Sequence, residues 1–207
     1  MTKNIISYIA IFLFTLNVAV AKKNVVVFED NIAAQKLVQG ASTLGNFTAY
    51  SLKGDGVQEN NKKWVKAWGV WKCKDATDQR AKCLNFVCNR VQNDDWLVTN
   101  AIDLNGVQKP SLVLDYYSRY GSDKANDFKV MISTDFNGDV ESATWKSLPF
   151  TVFHQMQKAE SQKISLKKYA GKKVFIAFHV SATDNKNELK NMTRNYFITK
   201  VQVEGKK

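Results

Sequence analysis

Arginine, histidine, proline and cysteine are scarce in this chain of 207 residues. Only Arg80, Arg90, Arg119 and Arg194 stand among its 30 basic residues; the rest are lysines. Base-specific readers of nucleic acid lean on the bidentate arginine fork. The lysines here come as doublets (62–63, 167–168, 172–173, 206–207) rather than one long block. A nucleic-acid partner is therefore not expected. The two histidines, His154 and His179, are far apart, and neither a G-x-S-x-G elbow nor a glycine-rich phosphate loop is present. The 19 acidic residues are scattered, and no spacing singles out a glycosidase-type carboxylate pair. These gaps favour a non-catalytic protein. Ten Gly and two Pro exclude a collagen-like or Pro/Gly-rich disordered chain. Three Cys are too few for a disulfide-dense scaffold. After residue 21 no apolar run approaches the roughly 20 residues that a membrane-spanning helix needs, so an integral membrane protein is not expected.

What is present begins with an export signal. Lys3 supplies a positive start, residues 5–16 form an apolar run, and Ala19-Val20-Ala21 offers small residues for cleavage. Residues 1–21 are expected to be a cleaved signal peptide, and residues 22–207 a single exported domain, periplasmic or secreted. Lys22 follows in place of the cysteine a lipid anchor would use. In an oxidising compartment three cysteines imply one disulfide and one remaining thiol. Cys73 and Cys83 flank a polar stretch that reads as a loop between two strands, so that pair is favoured, with Cys88 left over.

Hydrophobic periodicity is close to two almost throughout. Residues 25–28, 47–52, 64–73, 81–90, 96–99, 101–104, 111–117, 127–134, 145–152, 162–166, 173–180 and 195–204 read as strands. Lys53-Gly54-Asp55-Gly56, Asn105-Gly106 and Asn137-Gly138-Asp139 mark turns. Residues 64–73 and 81–90 look like a hairpin. Residues 30–44 are the one stretch with helical spacing, through Ile32, Ala33, Leu37, Val38 and Ala41. Many short strands with regular turns predict an all-β sandwich or barrel with at most one or two short helices.

Five segments in order add something more specific. They are Asn93-Asp94-Asp95-Trp96-Leu97-Val98-Thr99-Asn100-Ala101-Ile102-Asp103-Leu104, Leu112-Val113-Leu114-Asp115-Tyr116-Tyr117, Val130-Met131-Ile132-Ser133-Thr134-Asp135-Phe136, Ala143-Thr144-Trp145, and the stretch from Ile164 through Tyr169-Ala170-Gly171-Lys172 to His179. Together they resemble the choice-of-anchor J family of secreted bacterial domains, and Phe28-Glu29-Asp30 resembles that family's opening. The resemblance implies a jelly-roll β-sandwich of two antiparallel sheets, related in architecture to carbohydrate-binding modules and adhesin-type domains. It leaves the ligand open. Thr199 and Lys200 depart from the family's Asp-Asn, and Asn100 stands where the family has Pro.

Jelly-roll modules of this kind often hold a structural Ca²⁺ near the first strand, and Glu29 and Asp30 offer two oxygens for one. Lys200 and the loss of the nearby Asp speak against it, and Asp30 also suits a helix N-cap. Asp135, Asn137 and Asp139 around Gly138 read as a turn rather than an EF-hand loop. Exposed aromatics stack on sugar rings, which makes Trp64 and Trp68, on one strand face, and Tyr117, Arg119 and Tyr120, at a strand end, the candidate ligand contacts; core packing is the alternative. The formal charge of +11, carried by lysine, suits a polysaccharide or anionic envelope component, or simple solubility. A protein partner is the alternative to a glycan.

Overall fold

The computed structural model describes residues 22–39, 41–53, 56–57, 63–64, 68–73, 82–86, 93–119, 126–152, 159–182 and 195–207. The expected signal peptide, Cys88, Tyr120 and His154 lie outside them. In chain order the strands are β1 (Asn24–Glu29), β2 (Val38–Gln39), β3 (Thr43–Leu44), β4 (Phe47–Lys53), β5 (Gly56–Val57), β6 (Lys63–Trp64), β7 (Trp68–Lys72), β8 (Lys82–Phe86), β9 (Asp94–Thr99), β10 (Ile102–Asp103), β11 (Gln108–Arg119), β12 (Asn126–Ser133), β13 (Lys146–Ser147), β14 (Glu160–Ser165), β15 (Lys173–Ala182) and β16 (Asn195–Lys206). Among the described residues, the helical content is two 3-10 turns, Ile32–Ala34 and Lys167–Tyr169.

The first sheet runs β14–β11–β16–β8–β7–β2, with β1 paired to the end of β16. The second runs β13–β12–β15–β9–β4–β3, with β10 paired to β15. The pairings are antiparallel and mostly between strands distant in sequence, as in a jelly-roll sandwich. Alternation explains the core between the sheets. Leu112, Leu114 and Tyr116 of β11 point inward, as do Phe128, Val130 and Ile132 of β12 and Val174, Ile176, Phe178 and Val180 of β15. On β16 the register shifts beside Asp115, which places both Thr199 and Lys200 between the inward Ile198 and Val201. That extra residue lets two apolar side chains three positions apart face the same core.

The β7–β8 hairpin is present, with Trp68 opposite Phe86 and Lys72 opposite Lys82. The expected disulfide joins Cys73 to Cys83 across 5.6 Å between Cα atoms. Two expectations are corrected. The helix over residues 30–44 is replaced by the 3-10 turn, after which Gln35 turns extended (ψ 154°) and β2 pairs Val38 with Val70. The apolar positions do not form one buried stripe: Ile32 is buried, whereas Leu37 is 43% and Val38 36% exposed. Open strand edges on β7 offered the backbone better hydrogen bonds than an isolated helix. The strand expected over 145–152 shrinks to β13, because Pro149 has no N–H to continue a ladder. Among the described residues no helix is long and apolar enough to cross a membrane.

Candidate binding surface

Of the expected aromatics, the two whose side chains are described, Trp68 and Tyr117, form no exposed platform. Trp68 is fully buried, its ring 5.3 Å from Phe86 in the core. Alternation along β7 sends Trp68 and Val70 inward and Trp71 outward, and it is Trp71, 51% exposed, that presents a free indole. Trp68 as a ligand contact is thus corrected: its face of β7 is the inside of the sandwich. Tyr117 lies on the outer face of β11 but is also fully buried. It stacks on Phe197 at 4.6 Å and 6°, within a small cluster that includes Cys73 and Cys83. The Arg119 guanidinium lies 5.4 Å from the Tyr117 ring centre, a cation–π contact that uses the ring rather than presenting it. Tyr117 therefore serves packing in place of stacking on a sugar. Trp64 is on β6, paired with β5, but its side chain and all of Tyr120 lie outside the described residues.

Glu29 is exposed at the end of β1, and Asp30 beside it is buried. Asp30 is not the cap of the 3-10 turn; Asn31 is, its Oδ1 accepting from the Ala34 N–H at 3.3 Å. The Asp30 carboxylate instead accepts from the Asn46 N–H at 3.0 Å and from the Gln35 side-chain amide. Burial raises its pKa, while these bonds pull the other way. Donors thus point at both carboxylate oxygens, and a cation here would first have to turn the Gln35 amide so that its oxygen faced inward. Among the described residues no three His, Cys, Asp or Glu side chains come together as metal ligands do. Gly45 is held in this corner: its φ is +62°, and a Cβ would lie 2.1 Å from Gln35 Nε2 and 2.6 Å from Asp30 Oδ1.

The most built polar surface lies elsewhere, on the outer face of the second sheet. One row crosses four strands: Tyr50 (β4) opposite Trp96 (β9), Trp96 opposite His179 (β15), and His179 opposite Lys129 (β12). The imidazole stacks on the Trp96 indole at 3.9 Å and 19°. A single carboxylate oxygen, Asp94 Oδ1, accepts from Trp96 Nε1 at 2.9 Å and bonds His179 Nε2 at 2.8 Å. In the neutral ring Nε2 is then the donor and Nδ1 is left as an acceptor, a tautomer assigned from the partner. Burial holds the His179 pKa below its ordinary value; the Asp94 hydrogen bond and charge oppose that shift. Asp127 and Lys129, about half exposed, pair along the open edge of the row. Burial likewise raises the Tyr50 pKa. No Ser, Thr or Cys side chain hydrogen-bonds His179 among the described residues.

Residues 134–145 fold over the neighbouring part of this face. Phe136 and Trp145 pack against Tyr50, Trp96 and Phe175 with ring centres 5.1–5.8 Å apart. Asp135 fastens the loop: its carboxylate accepts from Ser133 Oγ at 2.6 Å and from the Thr144 N–H at 2.9 Å, and these bonds hold its pKa at about 2. Asn137 and Asp139 accept from the backbone two residues on, as Asx turns do. The sequence reading missed this row because its members come from four distant strands. Asp94, Trp96 and His179 were all visible in segments resembling the choice-of-anchor J family, but not that strand register sets them side by side.

No family model matches the chain, and no curated protein matches it. Solved structures do resemble it. The K2 cleaved adhesin domain of Lys-gingipain superposes with a TM-score of 0.54 at 12% identity, covering 85% of this chain and 96% of that one. The K1 cleaved adhesin domain of Lys-gingipain from Porphyromonas gingivalis W83 gives 0.51 at 13% identity, covering 87% and 97%. A xylan-binding carbohydrate-binding module from Paenibacillus barcinonensis gives 0.45 at 14%, covering 89% and 96%. At these identities the likeness to the two adhesin domains establishes the β-sandwich fold and nothing finer.

Proposed function

We propose that the chain is a non-catalytic, exported domain that binds a glycan, and that the row Tyr50–Trp96–His179–Lys129 with Asp94 and Asp127 is its contact surface. The observation that carries this reading is one row in which the half-exposed Lys129 and Asp127 stand beside an imidazole that the largely buried Trp96 and Asp94 hold in place. Lys129 donates, Asp127 and His179 Nδ1 accept, and the Trp96 stack keeps the imidazole from turning away. Sugar hydroxyls need such a mixed, preformed array. Export is supported by the signal-like residues 1–21 and the disulfide, and membership of the choice-of-anchor J family by the five segments in order. A glycan array tests the proposal. A bound glycan whose affinity falls about tenfold in Lys129→Ala or Asp127→Asn, roughly one charge-assisted hydrogen bond, with no turnover of the glycan, is the expected result. A folded protein that binds no glycan overturns it.

One observation favours a protein partner as the second reading. Trp71, Leu37 and Val38 are exposed apolar side chains at the edge formed by β7 and β2. A single envelope protein captured by the chain and lost in Trp71→Ala would support that alternative. Calcium at Glu29 and Asp30 is a separate proposal. A chelator that lowers the melting temperature supports it, and an unchanged melting temperature overturns it.

A further inference from the structure

We infer that the first sheet carries a second site, a pocket for a saccharide bearing a carboxylate or sulfate group. It is distinct from the row on the second sheet and can stand or fall without it. The pocket is a cleft of about 520 Å³ whose wall includes Lys109, Lys163, Lys167, Lys206, Ser111 and Ser165, with Glu204 as its one acid among the described residues. Its volume falls in the range of small-ligand sites.

A β-bulge builds it. Gln108 pairs with Lys206 and Ser111 with Glu204, so Lys109 and Pro110 together face the single Gly205. Lys109 takes φ +49°, the one positive value at a non-glycine residue among the described residues. Such a conformation is strained for a residue with a Cβ and re-aims the side chain, as bulges do. Gly205 is required opposite: a Cβ there would meet Val107 Cγ1 at 2.4 Å and the Gln108 carbonyl at 2.9 Å. The Pro110 carbonyl accepts from the Leu166 N–H at 2.8 Å, which ties the bulge to the 3-10 turn that presents Lys167. The cleft is thus held open by backbone geometry rather than by its own side chains.

The charge balance selects an anion. Glu204 is engaged with Lys163 at 2.6 Å, and among the described residues Lys109, Lys167 and Lys206 have no carboxylate partner. Beyond the cleft the β1–β16 ladder continues, as Lys23 and Lys207 exchange backbone hydrogen bonds at 2.9 and 3.0 Å. Ser111, Ser165 and Asn24 place neutral donors and acceptors among the ammonium groups. A ligand with both charge and hydroxyls uses all of these; inorganic anions use only the lysines. Among the described residues no aromatic ring and no arginine lines the cleft, which disfavours a nucleic acid, whose bases need stacking surfaces.

Isothermal titration with three short probes tests the site: an oligogalacturonate, a sulfated galactan disaccharide that has no uronate, and a neutral xylo-oligosaccharide. Binding of one or both acidic probes is expected, the better of the two identifying carboxylate or sulfate as the group recognised. Lys167→Glu and Lys206→Glu, both at exposed positions, should each weaken that binding at least about tenfold, and Lys168→Glu, outside the cleft, should not. Acidic binding should also weaken as salt rises. Three outcomes overturn the inference: equal binding of the neutral probe, unchanged affinity in both cleft variants, or inorganic sulfate competing as strongly as the sugar. Variants with wild-type melting temperatures keep misfolding apart from loss of the site.

Discussion

His179 links burial, hydrogen bonding and pH in one side chain. Its ordinary pKa is 6.5, and burial holds the folded value lower despite Asp94. Above pH 6.5 the ring is neutral in both folded and unfolded chains, and it contributes no pH dependence. As the pH falls through 6.5 the unfolded chain takes up the proton first, so stability is lost with acid until the pH passes the folded value. The urea midpoint is therefore expected to fall between about pH 7.5 and 5.5, and His179→Gln should flatten that segment of the profile. The two tryptophans of β7 make the complementary test. Trp68→Ala empties a fully buried site beside Phe86 and should cost about 3–5 kcal/mol. Trp71→Ala removes an exposed ring and should stay within about 0.5 kcal/mol, both read from urea unfolding.

Among the elements, the β7–β8 hairpin and the loop over residues 134–145 carry the surfaces that distinguish this sandwich. The disulfide Cys73–Cys83 closes the hairpin with a sequence separation of 10. Closing so short a loop restricts the unfolded chain. The double variant Cys73→Ser, Cys83→Ser is expected to lose about 2–3 kcal/mol, and reducing agent should lower the wild-type denaturation midpoint to a similar degree. The loss should spread to the outer face, because both sulfurs pack with Tyr117 and Phe197. The 134–145 loop shows why the family-like segments are what they are. Trp96, Phe136, Trp145 and Phe175 come from four of them and meet in one layer. Their order in sequence is thus a record of packing, which explains why it speaks to fold before it speaks to ligand.

For the whole molecule the decisive feature is one core reaching from Ile32 to Val203 and filled by both sheets. Neither sheet can bury its inner face alone, so unfolding is expected to be a single event. Denaturation followed by tryptophan fluorescence and by far-ultraviolet circular dichroism should give superimposable transitions; two separated transitions would divide residues 22–207 into more than one unit. The formal charge of +11 takes a definite shape at this scale. Among the described residues four lysines line one cleft with a single acid, while others, such as Lys129, pair locally.

Strand existence and the all-β class were determined by the sequence alone, since a period of two is a property of neighbouring residues; two sheets rather than a barrel is what the family resemblance implied. The hairpin disulfide was legible for the same reason: Cys73 and Cys83 are close along the chain. Alternation also showed that Trp68 and Trp71 face opposite ways, but not which way was in. That depended on the second sheet packing over Trp68. The helix expected over residues 30–44 failed because a free edge on β7 outcompeted a weak local preference. Only the tertiary structure could bring Tyr50, Trp96, His179 and Lys129 into one row, or set Lys109 beside Lys206. Those neighbours are fixed by strand register across the jelly roll, and register is decided by which apolar sets can share one core.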